Sequence, residues 1–145
     1  MSVVQPLVSV LMTAYNREQF IAAAIESVLA SAYENFELII VDDCSNDHTV
    51  EVSRQFEAKD KRVRVYVSEQ NLGDYPNRNR AAHYAKGKFI KYLDSDDIIY
   101  SHCLKVMVEG MERFPEAGFG LSATGNVSGP YPICVSSHET YVEHF

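Results

Sequence analysis

Cysteine pairs, basic charge, long apolar runs and glycine-rich loops are scarce or missing in this 145-residue sequence, and each shortage removes a class of protein. The three cysteines, Cys44, Cys103 and Cys134, are odd in number and share no C-x-x-C spacing. That argues against a disulfide framework or a zinc knuckle and fits a reducing cytoplasm. Lys and Arg total 13 against 20 Asp and Glu, a formal net charge of -7. No nucleic acid is therefore expected as a partner, and an anionic membrane is not the expected main one. The apolar stretch from Leu7 to Ala14 is too short to span a bilayer, and no basic segment precedes it, so the chain reads as soluble and unprocessed. No repeat or low-complexity tract is present, and 46% apolar content suits a single globular core.

What is present is an alternation of strand and helix patterns. Residues 7–12 are almost continuously apolar, as in a parallel strand covered on both faces. Asn16 and Gln19 have the spacing of a capping box, followed by a helical stripe of Phe20, Ile21, Ala24, Ile25, Val28 and Leu29. A second buried strand is predicted over 36–41, then a helix over 47–57. A third strand over 63–67 carries an alternating Arg64 that suits the sheet edge. Pro76 suits the first turn of a helix bearing Ala81, Ala82 and Ala85 and stopping at Gly87. A fourth strand over 89–93 leads to a helix capped by Ser101, and a short strand is expected near 119–123. The connections are too long for hairpins, so the expected fold class is α/β, a doubly wound, mainly parallel sheet with helices on both faces.

In such sheets ligands bind beyond the carboxyl ends of the strands. Those positions hold Thr13-Ala14-Tyr15-Asn16, Asp42-Asp43 and Asp94-Ser95-Asp96-Asp97, so five aspartates are expected to share one rim. At an effective dielectric near 20, two unit charges about 4 Å apart repel by about 4 kcal/mol, and a divalent cation would relieve the strain. Mg²⁺ completes its shell with phosphate oxygens, and Mn²⁺ uses similar ligands. A single aspartate here reads as a loop or helix-cap residue, and D-x-D alone is a weak pattern; the weight lies in two acidic groups after two buried strands. Neither G-x-G-x-x-G nor G-x-x-x-x-G-K-[ST] occurs in the first loop and no G-x-S-x-G occurs anywhere, which disfavours a dinucleotide site, a P-loop and a nucleophile elbow. Cys44 has no evident histidine partner and reads as a space filler, while His83 and His102 read as ordinary helix residues.

Three ordered segments, 8–16, 37–45 and 87–97, resemble the family-2 inverting glycosyltransferases of the GT-A fold, a Rossmann-like architecture. The resemblance implies that Thr13, Ala14 and Tyr15 line a nucleotide pocket. It implies that Asp43, with Asp42 beside it, accepts a hydrogen bond from the base, typically uracil. Asp94, with Ser95 beside it, would approach the ribose and metal, and Asp96 would coordinate Mn²⁺ or Mg²⁺ between the phosphates. The stretch 71–79 is similar to the family's N-x-G-x-x-x-A-R-N, with Asn77 where alanine is usual and Arg78 as the matching arginine. The implied reaction moves a sugar from a nucleotide-diphospho-sugar, UDP by family habit, to a carbohydrate or lipid-linked acceptor hydroxyl in polysaccharide or glycoconjugate biosynthesis. The implied location is cytoplasmic, compatible with peripheral attachment at the inner face of the membrane.

Residues 1–123 are accordingly expected to form the nucleotide-sugar-binding domain, and 124–145 the start of an acceptor-binding region that reads as truncated. The resemblance places the general base beyond Phe145, so the catalytic base is unassigned and this piece is expected to bind donor better than it transfers sugar. The competing readings are a nucleotide-sugar-binding or catalytically inactive interaction module, and a structural domain whose acidic rim merely complements helix dipoles.

Overall fold

The computed structural model describes residues 5–120. Its elements run β1 (Val8–Ala14), α1 (Ile21–Leu29), β2 (Phe36–Asp42), α2 (Thr49–Glu57), β3 (Val63–Val67), α3 (Asp74–Tyr84), β4 (Phe89–Tyr92) and α4 (Cys103–Arg113). The four strands form one wholly parallel sheet in the order β3-β2-β1-β4. The α/β class and the parallel sheet expected from the sequence are what the chain adopts. The chain divides into two compact units, Met1–Lys105 and Val106–Phe145, so the sheet, α1, α2 and α3 all belong to the first. The domain boundary expected at 123, and all but the first two residues of the strand expected near 119–123, lie outside the described residues; Phe119 and Gly120 are not in a strand.

Burial explains why β1 and β2 read as continuous apolar runs. Leu11, Ile39 and Val41 on one face pack against Ala81 of α3, all four wholly buried. Val10, Met12, Leu38 and Ile40 of the alternate positions are equally inaccessible. A large apolar side chain in such a position contributes enough that truncation to alanine costs about 2–5 kcal/mol. Strands β3 and β4 are the edges, and they alternate: Val63 and Val65 are buried beside a half-buried Arg64, and β4 leaves Ile90 and Tyr92 partly exposed.

Two local expectations are corrected. The capping box at Asn16 does not form. Helix α1 begins at Ile21 with no side-chain cap, and Asn16 instead takes a left-handed φ of 52° and accepts the Asn46 amide on its side-chain oxygen (2.9 Å). Helix α3 stops at Tyr84 rather than at Gly87. The amides of Lys86 and Gly87 are drawn off the helix by a polar knot in the sheet. Ser9 Oγ donates to Glu37 Oε1 (2.6 Å) and accepts from Gly87 N (2.8 Å), while Glu37 Oε1 accepts from Lys86 N (2.8 Å) and the Arg64 guanidinium neutralises Glu37. Removing one partner of a buried pair of this kind typically costs about 3–5 kcal/mol.

The knot also explains the glycine. A Cβ on Gly87 would lie 2.5 Å from Ser9 N and 2.8 Å from the carbonyl oxygens of Leu7 and Phe89, all backbone atoms that cannot swing aside. Gly87→Ala is therefore expected to destabilise the chain by about 1–3 kcal/mol in chemical denaturation. Gly110→Ala, inside α4 with nothing within 4 Å of the added carbon, should instead gain about 0.5–1 kcal/mol. Equal effects at the two positions would contradict the packing account.

Candidate functional site

Strand order fixes where a ligand can enter. The chain steps from β1 to β2 to β3 in one direction and then returns to place β4 on the other side of β1, so the strand order reverses beside β1 and a crevice opens at its carboxyl end. A cavity of about 550 Å³ lies there, within the range usual for small-molecule sites. Thr13, Ala14 and Tyr15 line it from the end of β1, Asp43 from the end of β2, and Asp94, Ser95 and Asp96 from the end of β4. Arg78 joins them from α3. Eight of the nine residues singled out in the sequence thus face one cavity. Asp42 does not line it. Almost wholly buried, it accepts from Ser45 N (2.8 Å) and Ser45 Oγ (2.5 Å), a turn that shapes the loop after β2.

The loops after β1 and β2 are zipped together by their own polar atoms. Asn16 N donates to Ser45 Oγ (2.8 Å), Arg17 N to Thr49 Oγ1 (2.7 Å) and Glu18 N to Asp47 Oδ2 (3.1 Å). Burial works to raise the Asp47 pKa, but hydrogen bonds from Thr49 and Glu18 outweigh it and hold the carboxyl below its usual value. Asn16 and Cys44, one in each loop, are the described non-glycine residues with positive φ, and left-handed backbone of this kind gathers at ligand sites.

The carboxylates of the rim are not left to repel one another. Asp43, 3% exposed, accepts the amides of Leu72 (2.8 Å) and Gly73 (2.9 Å), which draws the 71–73 loop over the end of β2. Asp94 meets Arg78 Nη2 at 2.7 Å, and the same guanidinium holds Asp74 at 2.8 Å. The hydrogen bond to Asp94 is the main reason the Arg78 pKa is raised. Asp96 pairs with Arg17 at 3.3 Å. The compensation that the sequence reading expects from a divalent cation is thus supplied in part by arginines and backbone amides. Asp97 does not line the cavity; its amide donates to the Asp94 carbonyl (3.0 Å), closing the turn that presents Asp94–Asp96.

Arg17, Asn71, Gly73, Asp74 and Asn77 also line the cavity and were not picked out as ligand residues. Arg17 directly follows the first strand-end segment, and the others lie in the 71–79 stretch, so position relative to the strands was the signal that could have found them. Asn77 Nδ2 donates to the Val41 carbonyl (3.0 Å), while its Oδ1 is the buried side-chain atom without a hydrogen-bond partner among the described residues.

Among the described residues no three His, Cys, Asp or Glu side chains converge on one metal position. Two half-exposed carboxylates, Asp94 and Asp96, share the rim. An all-oxygen pair of this kind fits a hard divalent cation that takes its other ligands from a phosphate and water, and does not fit a metal held by protein alone.

A crevice at a topological switch point, carrying acidic side chains and two arginines, is the place where open α/β sheets of this class take their ligands. The chain belongs to glycosyl transferase family 2, whose family model matches residues 9–138. It is 39% identical over 123 residues to the putative teichuronic acid biosynthesis glycosyltransferase TuaG of Bacillus subtilis, covering 82% of this chain and 49% of that protein. It is 41% identical over 105 residues to the UDP-Glc:alpha-D-GlcNAc-diphosphoundecaprenol beta-1,3-glucosyltransferase WfgD of Escherichia coli, covering 72% of this chain and 41% of that one. The chain thus spans about half or less of these relatives' length. Staphylococcus aureus TarS 1-349, solved in complex with UDP-GlcNAc, superposes with a TM-score of 0.69 at 31% identity over 73% of this chain and 31% of that chain. A mannosyltransferase of Pyrobaculum calidifontis, solved with GDP-Man and Mn²⁺, matches at 20% identity with a TM-score of 0.70 and bears on the fold alone. The GT-A assignment made from the sequence therefore holds.

If Asp43 organises the 71–73 loop, Asp43→Ala should raise amide hydrogen exchange at Leu72 and Gly73 by at least about fivefold while leaving the β1 and β2 amides protected. Unchanged exchange at those two amides would show that the loop is held by other contacts.

Proposed function

We propose that this chain forms the donor-binding part of a metal-dependent, inverting glycosyltransferase that takes a sugar from a UDP-sugar to an acceptor hydroxyl. The observation that carries the reading is the convergence of residues from three strand ends and α3 on one crevice beside β1. UDP is favoured because TarS is solved with UDP-GlcNAc and with UDP, and because WfgD is named for a UDP-glucose donor and a diphosphoundecaprenol acceptor. A lipid-linked or carbohydrate acceptor, a role in polysaccharide or glycoconjugate biosynthesis, and a cytoplasmic location near the membrane's inner face belong to the same proposal.

The chain's own residues then act as follows. Thr13, Ala14 and Tyr15 form the wall against which the nucleotide rests. Asp43 accepts a base N–H, since each carboxylate oxygen has a second lone pair beyond those used by Leu72 and Gly73. Asp94 and Asp96 hold the divalent cation, Mn²⁺ or Mg²⁺, which when bound supplies Lewis-acid stabilisation of the departing diphosphate. Arg78 balances Asp94 and adds positive charge beside the phosphates. Inversion requires a general base in line with the acceptor hydroxyl, and none of the cavity residues is assigned that task.

Calorimetric titration of UDP into this chain should show binding that strengthens with Mn²⁺, exceeds that of GDP, and falls at least about tenfold, or about 1.4 kcal/mol, in Asp96→Asn. A folded chain that binds neither nucleotide would favour the interaction-module reading instead.

A further inference from the structure

The two arginines of the crevice are not equivalent. Arg78 grips two carboxylates at 2.7 and 2.8 Å from the first turns of α3. Arg17 reaches across the switch-point crevice from the β1 loop and meets Asp96 alone, at 3.3 Å, with both side chains about half exposed, at 42% and 46%. Its Nη1 rests on the carbonyls of Tyr15 and Asn16, each at 3.2 Å, so the guanidinium is held at the crevice by weak, exposed contacts rather than buried ones. Four carboxylates line the cavity against these two cations, namely Asp43, Asp74, Asp94 and Asp96.

We infer that Arg17 is an exchangeable counter-cation that couples nucleotide and metal binding. The inference rests on the donor-site reading above. Without ligand, Arg17 occupies the Asp96 carboxylate, so a divalent cation arriving alone must displace it. A diphosphate offers the guanidinium a stronger, two-pronged partner. Once Arg17 turns to the phosphate oxygens, Asp96 is released to the cation, and each ligand strengthens the other by the same factor. Arg17 is thus a positioning residue for the carboxylate and a direct contact for the diphosphate.

The exchange has a signature that a fixed cation would not give: its loss moves the two affinities in opposite directions and also lowers the factor by which Mn²⁺ tightens UDP binding, which a fixed charge would leave in place. In Arg17→Gln, Mn²⁺ binding without nucleotide, read from the electron paramagnetic resonance of free Mn²⁺, should tighten about two- to fivefold. UDP binding without metal, read by calorimetry, should weaken by a similar factor, as expected for loss of one exposed charge pair. Arg17→Lys keeps the charge and should restore both values toward wild type, and circular dichroism melts of each variant establish that it is folded. If wild type shows metal-dependent UDP binding but Arg17→Gln moves both affinities the same way or neither, or leaves the factor by which Mn²⁺ tightens UDP binding unchanged, the coupling is overturned and the donor-site reading stands. If wild type binds neither UDP nor Mn²⁺, both fall together.

Discussion

Strand β1 is hydrogen-bonded on both sides and buried on both faces, and the site is built outward from its carboxyl end. Its parallel registers set Thr13 beside Val41 and Leu11 beside Tyr92, so the segments that follow β2 and β4 emerge next to its own. The Asp43 amide donates to the Ala14 carbonyl (2.8 Å), and the Leu93 amide to the Leu11 carbonyl (3.0 Å), extending the ladder to Asp43 itself after β2 and to the residue before Asp94 after β4. Large apolar side chains along β1 and β2 hold these strands in place, and a one-residue slip would bury the polar knot of Ser9, Glu37 and Arg64 in the wrong environment. The geometry of the polar crevice is therefore a consequence of an apolar core.

Charge in the crevice is compensated in two different ways. The buried carboxylates are satisfied by local donors: Asp43, in the crevice, by the 72–73 amides, and Asp42, outside it, by the amide and hydroxyl of Ser45. Such bonds hold loops in place and are costly to break in a water-poor setting. The exposed carboxylates, Asp94 and Asp96, are balanced by arginine side chains whose pairing in solvent is worth at most about 1 kcal/mol each. The first set shapes the site; in the second, Arg17, with one carboxylate partner to Arg78's two, is the one placed to change partners. A ligand bringing its own phosphates and cation would therefore meet a preformed wall and a yielding rim.

Much of this was legible in the sequence, for reasons that can be named. Continuous apolar runs over 7–12 and 36–41 reported burial on both faces, and the alternation in 63–67 reported an edge, since solvent access alone decides those patterns. The position of ligand residues followed from the strand-end rule. The failures came from tertiary hydrogen bonds that no local pattern encodes. Asn16 serves the neighbouring loop instead of its own helix, and Lys86 and Gly87 give their amides to Ser9 and Glu37, whose partnership spans 28 residues. Arg17 has no ligand role in the sequence reading, and Asn77 stands there only as a departure from a pattern, because an arginine after a strand and an asparagine in a helix have many uses, and only the packed chain directs both to one cavity. Asp42 went the other way: its sequence position matched that of Asp43, but the alternation of β2 turns it inward to Ser45.

On the donor-site reading, a UDP-type nucleotide sits in the crevice at the carboxyl end of β1. The most direct test of that reading is backbone amide chemical-shift mapping of the chain during titration with UDP and Mg²⁺, a diamagnetic cation that leaves the nearby signals observable. The account predicts shifts concentrated at residues 13–17, 43, 71–78 and 94–96. Shifts centred instead on the separate depression bounded by Glu69, Gln70, Leu72 and Arg80, or spread without pattern over the surface, would contradict it.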